Sequence, residues 1–440
     1  MVRFTPQKMI KLIVIYIVNI KWIAEIFHLP LGINKISTFL SAFLILWVFP
    51  GIIMEIKRKN WMKLWLGIYL IDIFCGWLYN GFEFIFVLWN ITNTFLFFFF
   101  FIACCVCLKK KDVIDILEIL CAFQILNCIL NIYQYVCLGA RNDYLGGLFG
   151  TTRDCNGYTF IYGVIISGYI LSLYYAKEEN RRLIFTIASI MIMAAYADII
   201  GLLLTITLCI VITIISMKMS IRKVMMVICG GGIVIVGIMA FKSDYSERFQ
   251  YFMNFNNLLK YIGFGTNSSG GIYGVSRVNP FSQINKHFFK NDIFLHLFGY
   301  GFGNCAFSSG QKILQSEIYL KNPSFSYYWF SHAYTYMETG VLGIVSYVLF
   351  FVNNFIYSFK LKRNKGMSKW GLFGMIITVS AVILFMYNQS LMIPSGYMMY
   401  FAFSVPYVMN NKNDKTQSKR AWRYIYLDYK IMRKHICRTV

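Results

Sequence analysis

Apolar residues run along this chain in long, nearly unbroken blocks, separated by short polar gaps and by one long gap. Twelve blocks stand out, at about 10–28, 36–54, 62–79, 83–107, 113–137, 158–175, 183–197, 199–216, 224–241, 332–357, 371–391 and 396–409. Most reach the roughly 18 residues that a helix needs to cross the hydrocarbon core of a bilayer. The pattern predicts an all-α polytopic membrane protein with about 12 transmembrane helices. A bundle of about nine spans would occupy 1–241, a long and partly helical outer loop 242–331, a second bundle of about three spans 332–409, and a basic tail 410–440. One place strains the count. Residues 183–217 must cross twice, yet 35 residues of helix make only roughly 52 Å, against roughly 60 Å for two crossings. A short helical hairpin is expected there, with Asp198 at its tip. A carboxylate at that depth must face protein or water, so a depression open to water is expected beside it.

Composition supports the pattern. The chain is 58% hydrophobic and 14% charged, which argues against reading its 440 residues as soluble domains. The first block has no small-residue cleavage site and is followed by many more, so it reads as a span and not as a signal peptide. Lys57 to Lys59, Lys109 to Lys111, Arg181-Arg182, Arg222-Lys223 and Lys360 to Lys369 fall in alternate gaps. The short gaps between them carry only Lys35, Arg141 and Arg153. That asymmetry predicts both termini in the cytoplasm and the 242–331 loop on the outer face. The net charge of +23 then reflects topology, and no nucleic-acid partner is expected. The tail, with nine Lys and Arg against two Asp, is expected to lie on the anionic membrane surface. Most cysteines sit in apolar blocks as small hydrophobes. Cys155 and Cys305 fall on the outer side, where a disulfide between them is allowed but not required.

Two substantial polar segments remain on the outer side, 139–157 and 242–331. The second is rich in Phe and Tyr, which demand burial, so short helices lying on the outer surface are expected there. His332 stands where this loop meets the next apolar block, the only histidine at such a junction. An imidazole can accept a proton near neutral pH, although a lone histidine is more often structural. Tyr336 would lie one helical turn along on the same face. Arg141, Arg153, Arg248 and Arg277 face the same side. Each alone reads as a solvated loop charge, but the guanidinium fork suits phosphate, and four together with few carboxylates make an anion site. The run Gly299-Tyr300-Gly301-Phe302-Gly303 lacks a strand–turn–helix context, so it is expected to form a tight turn and not a dinucleotide loop. Gly340 and Gly343 would admit a close helix neighbour, as would Gly230 to Gly232. No Walker loop, nucleophile elbow, paired outer carboxylates or metal-type cluster is visible. Any reaction is expected to proceed without metal or cofactor.

The glycine run at 299–303, followed after about thirty residues by Ser331-His332-Ala333-Tyr334-Thr335-Tyr336-Met337-Glu338-Thr339-Gly340, resembles the signature of bacterial O-antigen polymerases and O-antigen ligases. Gly147 to Asn156 is similar to an upstream stretch of that family, and the short hairpin and Arg277 have counterparts in it. The likeness spans roughly 140–390. Two departures are plain: Ala197-Asp198 stands where many members carry Ser-Arg, and Ala333 follows the histidine where Asn is commoner. The resemblance implies a glycosyltransferase type C-like fold. It also implies an inverting glycosyltransferase that uses undecaprenyl-diphosphate-linked oligosaccharides within the membrane lipid. His332 would deprotonate the acceptor hydroxyl and Arg277 would hold the leaving diphosphate. Arg153, Arg141 and Arg248 would add phosphate contacts, with Asn156 and Tyr336 lining the substrate site. A flippase and a chain-length regulator would be the partners. The richness in Ile, Lys, Asn, Phe and Tyr suggests a capsule or exopolysaccharide producer without a lipid A core, which favours a polymerase over a ligase. A lipid-linked oligosaccharide transporter is the alternative of another class.

Overall fold

The structure, a computed structural model, describes residues 5–152, 154–179, 181–244, 254, 275, 277, 279–308 and 311–411. Their long helices are α1 (Pro6–Ile26), α2 (Ile36–Arg58), α3 (Asn60–Asn80), α4 (Phe84–Asn93), α5 (Phe95–Cys107), α6 (Lys110–Val136), α7 (Cys155–Tyr175), α8 (Arg181–Tyr196), α9 (Ile200–Ser216), α10 (Ile221–Asp244), α11 (Ser331–Arg363), α12 (Ser368–Tyr387) and α13 (Gly396–Met409). Each apolar block is therefore helical. The block at 83–107 is split: α4 and α5 meet at Thr94 and bend by 41°.

Among the described residues seven helices (α2, α3, α6, α7, α10, α11 and α12) are long and apolar enough to cross a membrane, or eight if the bent α4–α5 pair is one span. This is the architecture of a membrane-embedded helical protein. The helices sort by how much protein covers them. The apolar stretch of α7 is wholly enclosed, while α2, α3 and α6 are one-third buried and α10 less. The uncovered faces are apolar: Phe39 and Leu46 on α2, Phe74 and Leu78 on α3, Ile132 and Val136 on α6 are each more than 60% exposed. Apolar surface on that scale would drive association in water, and it belongs against lipid. α7 accepts neighbours on all sides because its glycines let them close in. A methyl group at Gly163 would touch Ile190 of α8 and Leu202 of α9, and one at Gly168 would touch Ile376 of α12.

The polar contacts divide the bundle into two ends. At one, the basic gaps meet: Arg182 pairs with Glu118 at 2.7 Å, Lys369 with Glu178, and Lys362 donates to Ser216 at 2.7 Å. At the other lie the polar segments, the α8–α9 turn and the start of α11. The hairpin is short as expected, with 16 and 17 residues in its arms, and Asp198 turns the chain with φ 55°. The described part of the long loop folds as the short helices Pro280–Ile284, Ile293–Phe298 and Glu317–Lys321, joined by tight turns. Its residues 255–274 and the tail from 412 lie outside the described residues.

Candidate functional site

The two polar segments are fixed to the bundle in different ways, and both fixings bear on the site. In the first, the turn Gly147–Phe149 is inserted beside α6. Gln134 donates to the Gly147 carbonyl at 2.9 Å and accepts from its amide at 2.6 Å, and Asn127 accepts from the Leu148 amide at 3.0 Å. These side chains belong to a buried polar stripe on α6, Gln124, Asn127, Asn131 and Gln134, at helical spacing. On the other side, α1 contributes Glu25, whose carboxylate accepts from both the amide and the hydroxyl of Thr151. Lys21, buried in the same helix, pairs with Asp154 at 2.5 Å and lies over the Tyr158 ring. Glu25, Asn127 and Gln134 were not among the residues expected from the sequence; the three- and four-residue spacing of amides in an apolar helix was the available signal.

The second segment is wedged in by its backbone. Gly299, Gly301 and Gly303 all have positive φ, at 63°, 93° and 98°. The Gly301 amide donates to the Glu338 carbonyl at 2.9 Å and the Tyr300 amide to Met337 at 2.8 Å. A Cβ at Gly299 would sit 2.5 Å from the Glu338 carbonyl carbon, and one at Gly303 would sit 2.9 Å from the backbone of α4. α3 closes the other side, with Gly76 against Gly301, Trp77 donating to the Phe302 carbonyl and Asn80 to that of Gly299. The run is thus a turn at a three-helix junction, as expected from its lack of strand context. Gly340 answers it. It breaks α11 with φ 55°, and a Cβ there would strike Leu297. Buried Glu338 completes the junction: Asn90 donates to its carboxylate, with the Tyr334 hydroxyl and the amides of Gly303 and Cys305 around it.

Next to this junction the structure brings His332 and Arg277 together across 55 residues of chain. His332 is 3% exposed, at the start of α11. Its Nδ1 lies 3.1 Å from the Phe385 carbonyl and its Nε2 2.9 Å from the Arg277 carbonyl. Both partners are acceptors, and a neutral imidazole has one N–H. A neutral ring that donates through Nδ1 to Phe385 leaves Nε2 as the basic atom, with the Arg277 carbonyl standing where a substrate hydroxyl would have to arrive. The Arg277 guanidinium lies over the Tyr387 ring, 4.6 Å from its centroid, with Phe330 at 5.9 Å. Tyr387 also touches Phe160 of α7 and Gly201 of α9. The end of α12 therefore gathers the hairpin, α7, the long loop and α11 at one point. Nothing in the sequence marks Tyr387 except its place at the end of an apolar block.

The other candidates are placed as follows. Tyr336 does lie one turn from His332, but its hydroxyl donates to Asn285 at 2.8 Å and it packs on Phe281, which is also the ring beside His332. Asn156 donates to Asp143 and ties the start of α7 to the preceding turn. Arg141 is exposed, stacked on Tyr135 and bonded to the carbonyls of Tyr135 and Ala140. Arg153 and Arg248 lie outside the described residues. Cys155 and Cys305 are both buried free thiols, and burial pushes the Cys305 thiol well above its ordinary pKa. Among the described residues no three His, Cys, Asp or Glu side chains gather as a metal site would require. No model of a known protein family matches the chain, and no curated protein matches it either.

Proposed function

We propose that this protein is a polysaccharide polymerase of the type its sequence resembles. It would join undecaprenyl-diphosphate-linked oligosaccharide repeat units at the outer face of the cytoplasmic membrane, within a glycosyltransferase type C-like fold of about twelve spans. The observation that carries the reading is the contact between His332 and Arg277 at the loop end of the bundle. In it, one proton acceptor and one anion-binding fork share a corner sealed by aromatic rings. The Arg277 fork holds the diphosphate of the donor. The bond from the anomeric carbon to the diphosphate oxygen breaks, its electron pair leaving with the phosphate. The acceptor oxygen forms the new bond from the opposite face, and its proton passes to His332 Nε2. For that, the Arg277 carbonyl must first leave Nε2, so seating the diphosphate and exposing the base are one movement of one residue. Phe385 keeps the tautomer fixed by accepting from Nδ1.

The test is the glycan of cells that carry His332→Ala. Single repeat units in place of long chains are expected, and unchanged chain length sinks the polymerase. Arg277→Lys should lose activity as Arg277→Ala does, because the fork is lost while the charge stays; full activity in the lysine variant refutes two-oxygen binding. A reporter fused after residue 290 should read out on the outer side.

Asp72 favours a second reading, transport of the lipid-linked oligosaccharide. It lies on α3 within the bundle, 1% exposed, and among the described residues neither carboxyl oxygen has a hydrogen-bond partner. A carboxyl at such depth is a functional candidate by default. If Asp72→Asn stops export while His332→Ala leaves chain length unchanged, transport replaces polymerisation.

A further inference from the structure

A cavity of about 380 Å³ opens at the turn between α3 and α4, lined by Asn80, Phe82, Glu83, Tyr300, Asn304 and Glu317 among others. Its walls are fixed. Asn80 donates to the Gly299 carbonyl at 3.2 Å, and Asn304 donates to the carbonyls of Gly81 and Tyr300 at 3.0 and 2.8 Å. Asn304 spends both of its N–H groups on backbone and so leaves its oxygen for a ligand, while Asn80 keeps its oxygen and one N–H. Glu83 and Glu317 add carboxylates, the latter paired with Lys321 at 2.6 Å. The lining is thus rich in acceptors, and it carries aromatic faces: Phe82 is 57% exposed and Tyr300 forms part of the wall. Such a surface suits a ligand with many hydroxyl or amine donors and apolar C–H faces, and its size suits one or two sugar rings. It repels anions, the reverse of the Arg277 corner. The two places are joined by a row of rings. His332 neighbours Phe281, Phe281 neighbours Tyr336, Tyr336 neighbours Phe289 and Phe289 neighbours Tyr300, with centroids 4.6–5.8 Å apart.

We propose that this cavity is a saccharide subsite for a neutral or amino sugar of the substrate chain, removed from the sugar that reacts at His332. The proposal rests on the polymerase reading for its substrate, but the cavity can be tested without catalysis. The probe is the oligosaccharide pool released by mild acid from the lipid-linked material of the producing cell and treated with phosphatase. Binding to the purified full-length protein in detergent is read by saturation-transfer NMR. Wild type and His332→Ala should both bind. Glu83→Lys combined with Glu317→Lys should weaken binding at least tenfold, and Phe82→Ala severalfold. All three side chains are exposed, so unfolding is not the expected cause, and unchanged thermal melting checks this. Wild-type affinity in both the lysine pair and Phe82→Ala overturns the subsite. So does tighter binding of polygalacturonate fragments than of the phosphate-free pool, since that class is anionic. If cells with His332→Ala still make long chains, the polymerase reading falls while the binding result stands.

Discussion

The segment 146–151 and the segment 299–303 do the same job by opposite means. Both dock a polar loop into an apolar bundle, where every backbone N–H and C=O must find a partner. The first is met by side chains: Gln134 and Asn127 reach out from α6, and Glu25 from α1. The second is met mainly by backbone: three glycines let the main chain lie directly on α3, α4 and α11, and Trp77 and Asn80 of α3 add side-chain donors to its carbonyls. A side-chain clamp can yield when something is added, since an amide can rotate away. A backbone clamp cannot, because its neighbour is a helix.

The largest effect should therefore come from Gly299→Ala. The new methyl would lie 2.5 Å and 2.6 Å from backbone atoms of Glu338 and Thr339, at a φ of 63° that alanine disfavours. A loss of about 3 kcal/mol or more is expected, read as a fall in thermal unfolding temperature in detergent and in yield of folded protein. Gly147→Ala has nominally worse contacts, 2.2 Å and 2.3 Å, and the same sign of φ. Yet those atoms are the amide ends of Asn127 and Asn131, so about 1–3 kcal/mol is expected. If Gly147→Ala proves the more damaging, the distinction between the two clamps is wrong.

Glu338→Ala comes next. It leaves the Asn90 amide without its acceptor in a buried site and should cost about 1–3 kcal/mol. Glu338→Gln, which keeps an oxygen for Asn90, should cost less. The same pair sharpens the functional reading. His332 lies on the same helix before the Gly340 break, so Glu338→Ala should lower polymer output as well as stability, and Glu338→Gln should restore both in parallel. Output lost at normal stability would mean that Glu338 takes part in chemistry.

Much of this was legible in the sequence, and the reasons differ by residue. The helices were, because runs of apolar residues at membrane length have few other folds. The short hairpin was, from length alone. The glycine run was read correctly as a turn, because glycine reports a backbone need. Its partners were legible only in part: Gly340 was expected to admit a close neighbour, whereas nothing marks Gly76, Trp77 and Asn80 of α3 as the residues that receive the turn. The pairing of His332 with Arg277 was expected only through the family resemblance; that the contact runs through the Arg277 carbonyl was not, because main-chain groups leave no trace in sequence. Tyr387 was missed because an aromatic at the end of a span is ordinary at a membrane interface. The polar stripe on α6 was visible at its helical spacing and was passed over among the apolar residues around it.

The smallest test bears on the side-chain clamp. In Glu25→Gln one carboxylate oxygen becomes an NH2 group, facing donors on Thr151. Only one of the two Thr151 donors then keeps an acceptor, and about 1 kcal/mol should be lost. Thr151→Val removes the hydroxyl and leaves the amide, so it should cost a similar amount. The two changes touch one interaction, so the double variant should be less damaging than the sum, with a coupling of about 0.5 kcal/mol or more. Strict additivity in thermal unfolding would mean that Glu25 holds α1 in place for its own packing and not for the loop. The first segment would then hang on α6 alone, and Gln134→Ala, which removes both of its bonds to Gly147, should become as damaging as Gly299→Ala.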